Sequence, residues 1–175
     1  MGLFDMFKKK AEPAGPAPVT AQAGTDVLCA PVSGRVVAMA DVPDPVFSAG
    51  ALGKGCAIWP EGDVVYAPAS GTVSAAMGHA VGLTTDDGAE LIIHVGIDTV
   101  EMQGQGFATL AEQGVRVEAG QPVLGIDRAA IKAAGHPDCV VLAVSNSADF
   151  ADVALTVEAE TTVDAGAAVL KVMRS

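Results

Sequence analysis

His79-Ala-Val-Gly-Leu-Thr-Thr-Asp-Asp-Gly-Ala-Glu-Leu-Ile-Ile-His94-Val-Gly-Ile-Asp98 reads as two β-strands folded back on a tight turn. Asp87-Gly88 signals a type I′ hairpin, because both central residues of that turn take positive φ and Asp-Gly tolerates it. A two-residue loop there sets Asp86 against Ala89, Val81 against His94 and His79 against Gly96. Side chains alternate along a strand, so His79, Val81 and His94 share one face. The two imidazoles become diagonal neighbours, with Cβ atoms about 7–8 Å apart. A loop of odd length shifts this register by one residue.

Outward from the hairpin, the sequence repeats itself. Ala30-Pro-Val-Ser-Gly-Arg-Val36 returns as Ala67-Pro-Ala-Ser-Gly-Thr-Val73, and Val117-Glu-Ala-Gly-Gln-Pro-Val-Leu124 as Val163-Asp-Ala-Gly-Ala-Ala-Val-Leu170. Each is a turn followed by a strand start. Two copies of each are too few for a solenoid or propeller. The expected fold is all-β: an antiparallel β-sandwich or squashed barrel with internal duplication and short helical turns. The helical turns are expected at Gly106–Glu112 and near Ala129–Ala134, both Ala-rich and flanked by Gly. Residues 26–175 read as one domain. Residues 1–25 read as a flexible tail, with Pro13, Pro16 and Pro18 among Ala and Gly.

The chain has 175 residues, half of them apolar, with 21 Asp and Glu against 10 Lys and Arg, a net charge of −11. That length suits one domain with a real core. The acidic balance argues against a nucleic-acid partner, since phosphate contacts need clustered Lys and Arg. Cys29, Cys56 and Cys139 are odd in number and far apart, which fits buried reduced thiols in a cytoplasmic protein. No apolar run approaches the roughly 18 residues of a spanning helix, and the start lacks the order of a signal peptide.

No phosphate-cradling glycine loop is present, no nucleophile elbow and no HExxH, so no cofactor is expected. His136 lies in a Gly-His-Pro-Asp turn and reads as exposed loop. His79 and His94 are left as the chemical pair. With Asp98 they offer three ligands to a hydrolytic zinc, leaving a position open for water. Alternatively, one imidazole nitrogen takes a phosphoryl group while the second ring spreads the developing charge. Residue chemistry alone leaves both open.

The order of motifs is more specific. Ala30-Pro-Val-Ser-Gly34, Asp41-Val-Pro-Asp-Pro-Val-Phe47, Gly53-Lys-Gly55, Ala67-Pro68, His79-Ala-Val-Gly-Leu83, His94-Val-Gly-Ile-Asp-Thr-Val100 and Gly104-Gln-Gly-Phe107 together resemble the enzyme IIA component, glucose family, of the bacterial phosphoenolpyruvate-dependent sugar phosphotransferase system. The resemblance implies a β-sandwich phosphocarrier that takes a phosphoryl group from HPr and hands it to a cysteine on the IIB domain of a sugar permease. It places the phosphorylated nitrogen on His94 Nε2 and the phosphoryl stabiliser on His79, and gives Gly96 the carbonyl that holds Nδ1–H. It implies flanking acids at Asp44 and Asp98 and an apolar docking rim at Phe47, with Val46 and Leu52. Two histidines offer only two good zinc ligands, so no resident metal is expected, although a zinc on His79 and His94 completed by a partner is allowed; the resemblance leaves room for regulated transporters or kinases as further partners. The run from Gly71 to His79 is two residues shorter than the family's, and Met77 stands where the family has Thr or Ser. A zinc hydrolase of related plan lacks its usual His-x-His pair here, a purely regulatory binder is a further alternative, and a lipoyl or biotin carrier lacks its lysine. The expected protein is a free-standing IIA, without IIB or IIC segments.

Leu3, Phe4 and Phe7 beside Lys8, Lys9 and Lys10 suit weak contact with an anionic membrane surface. From Asp26 onward there are 19 acids against 7 bases, which the same surface repels. Full-length protein is expected to co-sediment with anionic vesicles at low salt, and a chain lacking residues 1–25 to stay in solution. Equal, negligible binding by both removes the anchor.

Overall fold

The two Ala-Pro-x-Ser-Gly turns lie against each other. In the computed structural model, which describes residues 15–175, Cys29 N donates to Pro68 O at 2.8 Å and Tyr66 N to Pro31 O at 2.7 Å. Each turn then meets one copy of the second repeat in the same way. Ala30 exchanges bonds with Ala167 O and Gly166 N, and Ala67 with Gln121 O and Gly120 N, all at 2.7–2.9 Å. Gly34 and Arg35 pair with Val163 and Thr162, just as Gly71 and Thr72 pair with Val117 and Arg116. The duplication read in the sequence is a two-fold relation in space.

Fourteen strands form among the described residues, in three antiparallel sheets. The long sheet runs β9 (Arg116–Val117), β5 (Gly71–Met77), β6 (Ala80–Thr85), β7 (Glu90–Val95), β11 (Val140–Val144), β3 (Lys54–Pro60), β2 (Gly34–Ala38), β13 (Thr162–Val163). A second sheet holds β4 (Val64–Tyr66), β10 (Pro122–Ile126) and β8 (Phe107–Thr109). The third holds β12 (Asp152–Leu155), β14 (Ala168–Met173) and β1 (Val27–Cys29). The sequence therefore makes an all-β, antiparallel fold, and among the described residues there are only two short α-helices, α1 (Pro45–Ser48) and α2 (Arg128–Ala133).

The long sheet is apolar on both faces, which decides where the site can sit. On one face Val81, Leu83, Leu91, Ile93, Val140, Leu142 and Val144 join the main core. On the other, Val37, Ala57, Val141 and Ala143 make a smaller cluster with Met39, Val42, Phe47, Ile97 and Cys139. β11 alternates between the two and is buried at all five positions. Its valines and leucine read as a continuous apolar run for that reason.

Two expectations change. Gly106–Glu112 is not helical: Phe107–Thr109 is strand β8, because the edge of β10 offers Leu124, Gly125 and Ile126 as ladder partners. Gly104 and Gly106 also hold φ near +84° and +89°, outside the helical range. The tail drawn over residues 1–25 divides. Residues 1–14 lie outside the described residues, and with them Leu3, Phe4, Phe7 and the lysines. Residues 19–25 are tied to the body instead. Val19 N donates to Gly120 O at 3.0 Å and Gln22 N to Gly166 O at 2.8 Å, so this strap spans the two matching turns.

Leu142 is fully buried in the main core at the middle of β11. Leu142→Ala is expected to lower unfolding stability by about 2–5 kcal/mol. Urea unfolding checks this, with the midpoint falling and the slope unchanged.

Candidate active site

Both histidines are placed by hairpin ends. β5 and β6 join through a two-residue turn, Gly78-His79, closed by Met77 opposite Ala80. A Cβ on Gly78 would lie 2.9 Å from Gly104 Cα, so only glycine lets this turn rest on the Gly104 backbone. β6 and β7 join through three residues, Asp86–Gly88, and not through Asp87-Gly88 alone. Thr85 N donates to Ala89 O at 2.8 Å, Thr85 Oγ1 accepts from Ala89 N at 3.0 Å, and Gly88 carries φ near +95°. The odd loop slips the register by one: His94 faces Ala80, not Val81.

Strict alternation in this register would put the histidines on opposite faces. They meet because His79 is in the turn, outside the pleat, with its carbonyl accepting from Val95 N at 2.8 Å. The ring centroids are 4.9 Å apart at an interplanar angle of 76°. His94 belongs to the face of the smaller apolar cluster. A lateral row of cross-strand partners runs Met77, Ala80, His94, Val141, Ala57, Val37 across that face.

His94 is held on two further sides. Its Nδ1 lies 2.8 Å from Gly96 O. A carbonyl oxygen only accepts, so Nδ1 carries the proton and Nε2 keeps a free lone pair. Gly96 has φ near +76°, and a Cβ there would meet Thr99 Cγ2 and lie 2.9 Å from Pro137 O. Gly96 N donates to Cys139 O at 2.7 Å, and the buried Thr99 hydroxyl to Val95 O. On the other side, the Phe47 ring stands 5.1 Å from the His94 ring. Asp44 fixes it there by capping α1, its Oδ1 accepting from Val46 N at 2.8 Å and Phe47 N at 3.0 Å.

The docking rim needs one correction. Phe47 is 5% exposed and packs under the rim, with Met39 and Val42 beside it, so it backs His94 and presents little surface. Val46 and Leu52 are exposed, as is Met77, which sequence reasoning did not place on the rim. Asp98 takes a left-handed conformation and is exposed beside the short 3₁₀ turn Thr99–Met102. His136 is not the exposed loop expected. Its side chain is 14% exposed and lies 3.9 Å from Glu101. Among the described residues no three His, Cys, Asp or Glu side chains are grouped to hold a metal ion, so the hydrolase ligand set His79, His94, Asp98 is not assembled. A 510 Å³ cavity lined by Asp63, Ile126, Asp127, Arg128 and Lys132 includes neither histidine.

A family model described as phosphoenolpyruvate-dependent sugar phosphotransferase system, EIIA 1, matches residues 26–150. The chain belongs to that family. It is 41% identical over 128 residues to the mannose-specific EIIBCA component of Corynebacterium glutamicum, covering 72% of this chain and 19% of that protein. It is 41% identical over 143 residues to the N-acetylglucosamine-specific EIICBA component of Klebsiella pneumoniae, covering 80% and 22%. This EIIA chain thus spans about a fifth of the length of the curated relatives it matches. Its fold matches glucose permease IIA from Mycoplasma capricolum with a TM-score of 0.70 and 28% identity, over 82% of this chain and 93% of that one. Among the described residues no helix is long and apolar enough to cross a membrane.

Burial makes charging either ring costly, so His79 and His94 both titrate below the usual 6.5. For His94 the neighbouring His79 adds to this, while the Gly96 carbonyl, Asp44 and Asp98 pull the other way. On acidification the unfolded chain therefore takes up these protons first. The stability contributed by the neutral rings is complete above about pH 6.5 and is lost as pH falls through their folded-state values. An NMR titration is expected to show both imidazoles neutral at pH 7, with midpoints below 6.5. A midpoint above 6.5 for either ring contradicts this account of the site.

Proposed function

We propose that this EIIA chain is a phosphocarrier: Nε2 of His94 takes a phosphoryl group from the phosphohistidine of HPr and passes it to a cysteine of a IIB domain, at the cytoplasmic side of the membrane. The observation that carries this reading is the bond from His94 Nδ1–H to Gly96 O, which leaves Nε2 as the free nucleophile next to a second imidazole. The Nε2 lone pair forms a bond to phosphorus as the donor's N–P bond breaks, and the donor ring leaves with the electron pair. A phosphorylated ring that keeps Nδ1–H is electron-poor, so its bond to the Gly96 carbonyl strengthens as the group arrives. His79 is in place to hydrogen-bond the phosphoryl oxygens and share their charge as they move on. The apolar backing of Phe47 and Val141 limits water on one side of a labile N–P bond.

Fusion supports the choice of receiver. The relatives are named EIIBCA and EIICBA components, in which an EIIA domain shares a chain with EIIB and EIIC. The open face around the pair, with Val46 and Leu52 exposed, suits docking of a protein better than enclosure of a small molecule.

Incubation with phosphoenolpyruvate, enzyme I and HPr is expected to label the chain with an acid-labile, alkali-stable phosphate. His94→Ala abolishes labelling while circular dichroism stays native. His79→Gln still accepts phosphate but passes it to IIB about 10²-fold more slowly or worse, since an amide donates a hydrogen bond without sharing charge. Full labelling of His94→Ala, or label on His136, overturns the reading.

A further inference from the structure

The cross-strand row through His94 begins at Met77. Met77 faces Ala80, and Ala80 faces His94, so all three side chains leave the same face of the long sheet. Strands lie about 4.8 Å apart, which sets the Met77 backbone about 10 Å from that of His94. Between them Ala80 raises only a methyl group, and a methionine side chain is long and flexible enough to lie across it. Met77 is also two residues from His79 through the tight Gly78 turn, and it is 52% exposed.

Among the described residues the other sulphur atoms are distributed differently. Cys29, Cys56 and Cys139 are free and fully buried. Burial pushes the Cys56 and Cys139 thiols up to about 12, and that of Cys29 also upward, so none offers an oxidant a thiolate at neutral pH. Met39 is 8% exposed, and Met102 is partly buried against the main core. Met173 is 46% exposed but sits at the end of β14, in a different sheet from the histidines.

We propose that Met77 is a reversible oxidation site that controls docking at the histidine face, an inference that rests on the phosphocarrier reading above. The oxidant is a peroxide. The thioether sulphur attacks one peroxide oxygen, the O–O bond breaks, and a sulfoxide S–O bond forms while hydroxide and a proton leave as water. Sulphur loses two electrons and the peroxide gains them. The product puts a strongly polar acceptor where an apolar side chain stood, on a face that must be desolvated against a protein partner. A dithiol-dependent methionine sulfoxide reductase reverses the change.

Hydrogen peroxide treatment, with peptide mass spectrometry to locate sulfoxide, tests this. Met77 and Met173 are expected to oxidise before Met39. Treated wild type loses about tenfold in kcat/KM for phosphoryl acceptance from phospho-HPr, the order expected for one polar group buried without a partner, and keeps its rate at saturating donor. Each variant is read against its own untreated rate: Met77→Leu shows no loss on treatment, Met173→Leu shows the wild-type loss, and the reductase restores the wild type. Full oxidation at Met77 with no loss, or equal loss in Met77→Leu, overturns the proposal. If untreated protein accepts no phosphate, the phosphocarrier reading fails by itself. The imidazole resonances of His79 and His94 then decide: a shift on Met77 oxidation upholds the site, and their constancy overturns it.

Discussion

The hydrogen bond between His94 Nδ1 and the carbonyl of Gly96 determines which nitrogen of the ring is free, and most of the surrounding structure serves to hold it. The bond joins residues only two apart, so the chain must turn sharply at the end of β7 for the carbonyl to come back toward the ring. Positive φ at Gly96 makes that turn, and its missing Cβ leaves room for Thr99 and the Pro137 carbonyl. The bonds from Gly96 N to Cys139 O and from Ile97 N to Pro137 O then fasten the turn to the segment entering β11. A neighbouring ring and an aromatic wall contribute only because this bond has already set the orientation of the imidazole.

The wider architecture explains how such a turn stays rigid on an open surface. β11 is buried on both faces and sits between β7 and β3, so the strand that anchors Gly96 is the most enclosed in the sheet. The large cluster on one face supports the fold, and the small cluster on the other supports the site. α1 is only four residues long and is held by the Asp44 cap. The cap matters less for helix stability than for where it leaves Phe47. Both acids that the sequence singled out act on His94 through space, and Asp44 acts a second time through Phe47.

Much of this was legible in the sequence because it is local. Turn residues and alternation placed the hairpin around Asp87-Gly88, the two echoes announced the duplication, and the family resemblance implied the bond from His94 to the Gly96 carbonyl. The register was not legible. Asp-Gly favours a two-residue turn, but the Thr85 hydroxyl accepts from Ala89 N and settles a three-residue loop. The histidines still meet, for a reason that periodicity does not contain: His79 is outside the strand. The parts that Thr99 and Cys139 play in the site went unread because one acts on a backbone carbonyl and the other contributes its own carbonyl, and neither role leaves a compositional trace. The misread helix at 106–112 shows the opposite failure, since alanine propensity yielded to an available sheet edge.

The strap over residues 19–25 has a mechanical consequence. It is held by bonds to the two matching turns, from Val19 N to Gly120 O and from Gln22 N to Gly166 O, and by the Gln22 side chain accepting from Ala168 N. Surface hydrogen bonds of this kind contribute about 0.5–1.5 kcal/mol each. A pull applied at residue 15 loads those bonds in series, well before any strand of the long sheet is strained. Under tension the strap peels and the body stays folded, releasing the residues from 19 to 25. At about 3.3–3.6 Å per residue, those seven residues span some 23–25 Å of released chain, taken up again when the tension falls.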